Sequence, residues 1–381
     1  MTKQLWLGCA LVAGIQSCSL NNAEDPPLEA LWATTEELGW ELSTISVGSA
    51  DTERVYFIRA RRGDERDFIA YDRRTGSVVW RQRIKGPCTA VFQGDQVYCP
   101  GDHLYAFDAR TGRPLWRYGE GGVTKTFQQV AATADDQRVY VGVAGAPTGA
   151  GRVLAVEAAT GALVWERSFD GPGWKGNWMQ SLTLSPEGDL LVAFTAEFNP
   201  PTIYSATVIA AVDPATGEER WRVVDGDETT NRDTGGLELW EDLILYSDYS
   251  GQEAVAISRR TRSVVWRAPF TPGSFSTRRP PLVADGVAHF TDTLGGLYAV
   301  DARTGREVWS ERWKNGFLSH AVCGDVVFGD DQVGQVFDRR TGRHLGQLFE
   351  DPGPVLGQVA VADDVLYVSA SSGVYAFDCN L

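Results

Sequence analysis

The sequence predicts an all-β chain folded as an eight-bladed β-propeller of four-stranded antiparallel blades. A short motif recurs along it: an apolar strand ending in Asp, then Thr-Gly, then Trp. The copies lie 36 to 56 residues apart, which suits four strands of about five residues with their turns. The 381 residues include 41 Gly and 13 Trp but only 2 Met, a mix that favours short strands and tight turns over helices.

The first residues read as an address. Lys3 precedes an apolar run, Leu5 to Ile15, too short to span a bilayer. It leads into Ile15-Gln16-Ser17-Cys18, which resembles the lipobox of bacterial lipoproteins, with Gln16 an unusual middle residue. The resemblance implies cleavage before Cys18, its acylation, and loss of Cys9 with the leader. Ser19-Leu20 carries no Asp retention signal, which by the same resemblance implies the outer membrane. Residues 1–18 are thus expected as signal peptide, 19–35 as a tether and 36–381 as the propeller.

Eight motif copies follow. Asp72, Gly76 and Trp80 make the first; Asp108, Gly112 and Trp116 the second. Glu157, Gly161 and Trp165 form the third, and Asp213, Gly217 and Trp221 the fourth. The fifth is worn, with Ser258 and Arg262 replacing Asp and Gly before Trp266. Asp301, Gly305 and Trp309 form the sixth. The seventh, Asp338 and Gly342, has Gly346 where Trp is due, and the eighth begins at Asp378. The Asp carboxylate can accept backbone N–H groups two or three residues on, and Gly takes a left-handed conformation. Trp then suits packing against the neighbouring blade. Upstream hairpin signals such as Val283-Ala284-Asp285-Gly286-Val287 make each blade two hairpins in sequence. The eighth copy lacks an outer strand. Gly39-Trp40-Glu41-Leu42-Ser43 offers one, so Trp40 is expected to complete the last blade and remove an exposed sheet edge.

Beyond the leader, Cys88, Cys99, Cys323 and Cys379 remain, an even number suited to disulfides in an oxidising compartment. Three connectivities are open. Cys88 and Cys99 flank a hairpin signal, Phe92 to Asp95, and are expected to face each other; Cys323 and Cys379 then pair by elimination. No Cys-x-x-Cys spacing occurs, and no metal site is expected.

The repeated Ala-x-Asp-x-x-Thr-Gly-x-x-x-Trp pattern resembles the pyrroloquinoline-quinone (PQQ) type propeller repeat across nearly all of residues 36–381. That repeat has two settings. PQQ-dependent dehydrogenases would imply a quinone and a calcium ion over the propeller centre, and commonly a pair of adjacent cysteines, which this sequence lacks. The nearest calcium-like stretch is Asp225-Gly226-Asp227-Glu228 with Asn231 and Asp233. It has Thr230 and Gly236 where a loop Gly and a closing Glu belong, and reads as a solvated acidic loop. The BamB lipoproteins of the outer-membrane β-barrel assembly machinery resemble the chain in length, lipobox, blade number and terminal closure. This resemblance implies a non-catalytic scaffold without cofactor, monomeric within its complex and facing the periplasm. A lipid would be its only hold on the membrane, and it would bind the barrel-forming subunit through interblade loops. The corresponding loops here are Thr229 to Asp233 and Ser276 to Arg279. Arg232 matches a family contact arginine, whereas Arg278 and Arg279 stand where the family tends to place acids.

Other signals carry less. A formal net charge of −15 argues against nucleic acid. Arg62-Gly63-Asp64 reads as a hairpin tip, and Asp233-Thr234-Gly235 lacks the second triplet that aspartic-protease chemistry needs. The Gly142 to Gly151 stretch lacks the Gly-Lys-Ser/Thr of a phosphate loop. His103, His289, His320 and His344 fall at scattered positions in separate blades, with no role expected. Trp174 and Trp178 lie in a Gly-rich connection. They are expected to plug the gap between blades three and four, or to anchor a protein, sugar or cell-wall ligand.

Overall fold

The computed structural model describes residues 27–34, 49–61, 63–86, 88, 90–119, 131–143, 151–171, 174–198, 204–227, 229–270, 279–313, 320–331, 333–350 and 356–380. Within them every regular element is a β-strand, and the strands form eight antiparallel sheets. Blades 1 to 7 span 49–85, 91–118, 132–168, 170–225, 234–269, 282–312 and 320–347. Blade 8 joins the three strands of 356–378 to a two-residue N-terminal strand, Trp32–Ala33. Blade 4 carries an extra strand, Asp170–Gly171, on its inner edge.

Both faces of each blade pack against neighbours, so the middle strands are apolar on both sides and show no alternation. Ser205–Val212 is buried throughout, as is most of Leu190–Phe198. The outer strands are free on one edge, and Val78, Val79, Val264 and Val265 there face solvent.

The motif residues act at the seams between blades. The Thr75 amide and hydroxyl each donate to Asp72 at 2.8 Å, and Asp108, Asp301 and Asp338 close the same turn with Thr111, Thr304 and Thr341. These threonine hydroxyl bonds hold all four carboxyls below the usual aspartate range. Gly112 (φ +71°) needs its missing side chain for a second reason: a Cβ there would lie 2.6 Å from the Trp80 ring of the preceding blade. Trp80 also donates its indole N–H to the Ala109 carbonyl at 2.8 Å. The pair of contacts recurs for Trp116, Trp165, Trp266 and Trp309, on Gly161, Gly217, Gly305 and Gly342 and on the carbonyls of Ala158, Pro214, Ala302 and Arg339. In the worn fifth copy Arg262 (φ +57°) takes the glycine place, and its guanidinium lies 5.5 Å from the centre of the Trp221 ring.

The ring closes as expected, by an N-terminal strand added to blade 8, but Trp32 supplies the indole rather than Trp40. Trp32 pairs with Ala376, Ala33 with Tyr375, and the Thr34 amide donates to Val374. Leu28 and Ala30 pack against the buried apolar cluster shared by blades 7 and 8, and the Leu28 amide donates to the Gln347 carbonyl at 2.9 Å, so residues 28–34, read as tether, belong to the propeller. Trp40 lies outside the described residues. The register follows from the indole's partners, a glycine seat and a carbonyl in blade 1, and Trp32 occupies both. The cysteines pair as Cys88–Cys99 and Cys323–Cys379, with Cα separations of 5.3 and 5.7 Å.

Candidate partner-binding face

Antiparallel order gives every blade two ends. First-to-second and third-to-fourth turns share one end; second-to-third turns and interblade links share the other. The link after blade 4, which carries Arg232, lies at this second end. Blade 4 rises above its neighbours there. Its inner strand Trp174–Leu184 has 11 residues, against 7 or fewer in the other blades, and two register shifts bend it.

The raised hairpin is tied to the link by Ser205. Its amide donates to the Thr230 carbonyl, its carbonyl accepts the Arg232 amide (both 3.0 Å), and its hydroxyl donates to the Arg232 carbonyl at 2.7 Å. Thr195 adds a hydroxyl bond to Asp233 at 2.5 Å. The Arg232 guanidinium bridges Asp248, at 2.7 Å, and Glu253. Arg267 joins Glu253, at 2.5 Å, to Asp225, which also accepts the Tyr246 hydroxyl at 2.5 Å. The fully buried Asp248 takes the amides of Gly251 (2.8 Å) and Asp233 (3.1 Å).

Burial works against the Arg232 charge, but its bonds to Asp248 and Glu253 outweigh burial and raise its pKa. Burial dominates at Asp248 and raises its carboxyl despite those partners. On the same blade's inner strand, burial alone pushes Glu238 up to about 7. The result is a braced ionic cluster spanning blades 4 and 5, suited to present a rigid polar surface.

The structure sorts the sequence candidates. Arg232 is at the cluster but is held by two carboxylates, with 22% of its side chain exposed. Arg279 is partly buried, and burial lowers its pKa against the opposing charge of Asp330. Arg278 and Cys18 lie outside the described residues. Trp174 and Trp178 lie on a strand, not in a loop: Trp174 pairs with Gly171 and Phe198, and Trp178 with Thr195. The calcium-like acids diverge, Asp225 to Tyr246 and Arg267, Asp227 to Thr229, and Asp233 to Thr195. Among the described residues no group of three or more His, Cys, Asp or Glu is placed to hold a metal.

Two histidines read as scattered do meet. His320 Nε2 is 3.1 Å from the His289 carbonyl oxygen between blades 6 and 7, and desolvation lowers their pKa values to about 3 and about 4. Asp248, Glu253 and Arg267 were missed, and Asp225, expected in a solvated acidic loop, is instead buried in this cluster. Asp248 had a signal, a second repeat of Asp-x-x-Gly at Asp248–Gly251, Asp292–Gly295 and Asp331–Gly334, whose carboxylates close second-to-third turns.

Comparison with known proteins places this geometry. A family model described as outer membrane protein assembly factor BamB matches residues 25–186 and 205–378. The outer membrane protein assembly factor BamB of Shewanella oneidensis is 26% identical, over 98% of both chains. Among solved structures, BamB from Moraxella catarrhalis superposes with a TM-score of 0.67 at 16% identity, covering 92% of this chain and 97% of that one. A europium-containing methanol dehydrogenase reaches 0.69 at 16% identity, covering 92% and 85%. At such identities the two structural likenesses speak only to the propeller, which both settings of the repeat share. The sequence match runs through nearly every blade, and by it the chain belongs to the outer membrane protein assembly factor BamB family.

Proposed function

We propose that the chain is a non-catalytic scaffold of outer-membrane protein assembly, anchored through an acylated Cys18 and facing the periplasm. It docks a protein partner, the barrel-forming assembly subunit, on the raised face of blades 4 and 5. The supporting observation is the join between the blade 4 hairpin and the Arg232 link through Ser205, which makes a rigid, asymmetric platform on an otherwise repetitive ring. Rigid presentation lowers the ordering cost of binding. Exposed Tyr204 lies beside this join and offers an aromatic contact.

The test is cross-linking and pull-down of the lipidated protein from outer membranes. Capture of a barrel-assembly subunit, weakened by Tyr204→Ala and Arg232→Glu with the fold retained, supports the reading. Undiminished capture by both variants moves the docking site elsewhere. Quinone-dependent turnover of an alcohol would overturn the non-catalytic reading. A Cys18→Ser protein that still carries palmitate would overturn the anchor.

A further inference from the structure

Six seams of the ring carry the Trp-on-Gly contact, including Trp32 on Gly76, and the seam between blades 4 and 5 replaces it with Arg262 over Trp221. Among the described residues, the seam between blades 7 and 8 has neither. Gly346 stands at the tryptophan place, with φ +149° and no atom within 4 Å of where a Cβ would sit. In blade 8, the residue after the motif Asp is Cys379. Its amide bonds to the Asp364 carbonyl at 2.9 Å, just as Arg73, Ala109 and Arg339 bond to Glu53, Asp95 and Asp325 at 2.9 Å in their own blades. Cys379 is therefore the structural counterpart of those residues.

At three other seams the side chain from this place reaches back to the first turn of the preceding blade. Arg73 meets Asp363 at 2.9 Å, Arg339 meets Asp285 at 2.7 Å, and Arg259 meets Glu187. At the blade 7–8 seam the same place makes the Cys323–Cys379 bond, from blade 8 to the end of blade 7's first strand. We infer that this disulfide is the lock of the seam that lacks its tryptophan, so that closure of the ring depends on the redox state of one bond. Reduction by a dithiol breaks the S–S bond, leaves thiols on Cys323 and Cys379, and oxidises the dithiol to its cyclic disulfide. Blade 8 is then held to blade 7 by one shared apolar cluster, with Val359, Leu366 and Phe377 from blade 8 and Val326, Phe328 and Leu348 from blade 7, and by the Leu28 amide on the Gln347 carbonyl at 2.9 Å. Cys88–Cys99 spans 11 residues beside a seam that already has Trp80 on Gly112, and it has no such role.

Hydrogen exchange on the full-length protein tests this. In Cys323→Ala/Cys379→Ala, amides of 320–329 and 365–378 should exchange at least about thirty-fold faster, the low end of the effect of losing a native disulfide. Cys88→Ala/Cys99→Ala should leave those amides unchanged. Cys323→Ala/Gly324→Asp/Cys379→Arg should regain part of the protection, because it installs the ion pair of the other seams. Gly324 has φ +54°, near the +48° of Asp285 and +47° of Asp363, so it can accept the acid. If the first variant does not fold, dithiol reduction of folded Cys88→Ala/Cys99→Ala gives the same readout. Unchanged exchange at the seam, or equal loosening at every seam, would overturn the inference.

Discussion

The Trp32 indole donates its N–H to the Arg73 carbonyl at 2.8 Å and covers Gly76, where a Cβ would lie 2.4 Å from the ring. A strand of two residues thereby joins the ends of the ring with the same contact that joins neighbouring blades. Trp32 is partly buried where Trp80 is buried, so Trp32→Ala should cost about 2 kcal/mol in urea unfolding, somewhat less than Trp80→Ala. A loss below about 0.5 kcal/mol, typical of a surface change, would show that the strand does not bear on ring stability.

The motif glycines serve as seats as well as turns, and two substitutions separate these roles. Gly94 (φ +56°) has no atom within 4 Å of a would-be Cβ, whereas Gly112 (φ +71°) has the Trp80 ring at 2.6 Å. Gly94→Ala should cost about 1 kcal/mol for the left-handed backbone alone. Gly112→Ala should cost about 2 kcal/mol more, because the indole must move. Equal losses by chemical denaturation would remove the seat from the account.

Arg262 exchanges one strain for one contact. Arg262→Gly relieves a left-handed backbone but loses the guanidinium over Trp221, terms of about 1 kcal/mol each, and should leave stability nearly unchanged. Arg262→Ala keeps the strain and loses the contact, and should destabilise by about 1 kcal/mol. Thermal melts of the two variants distinguish them.

Glu238 sets a pH dependence. Burial raises its folded pKa to about 7 from the ordinary glutamate value of 4.5, so between those values the folded state holds more proton than the unfolded state. Its contribution is fully present below about pH 4.5 and is lost as pH rises through about 7. Glu238→Gln should therefore stabilise the protein at pH 8 by on the order of 1 kcal/mol, allowing for partial solvent contact, and be neutral at pH 4. Melts at both pH values check this; a gain of equal size at both would exclude titration as the cause.

The blades were legible because each motif residue answers to a local demand. Asp72 closes its own turn with Thr75, and Trp80 follows at a fixed spacing, so periodicity alone exposes them. The candidate face was only partly legible. Arg232 could be named, but its carboxylate partners lie 16 and 21 residues away, across a turn that only the folded sheet brings back.

Chain-local geometry, repeated eight times, thus determines the propeller, its turns and its blade count from sequence alone. Tertiary structure decided which tryptophan closes the ring, that Arg279 is partly buried under the charge of Asp330, and that His289 meets His320. Each of those depends on a partner in another blade, and such pairings follow from packing around the whole ring rather than from any spacing along the chain.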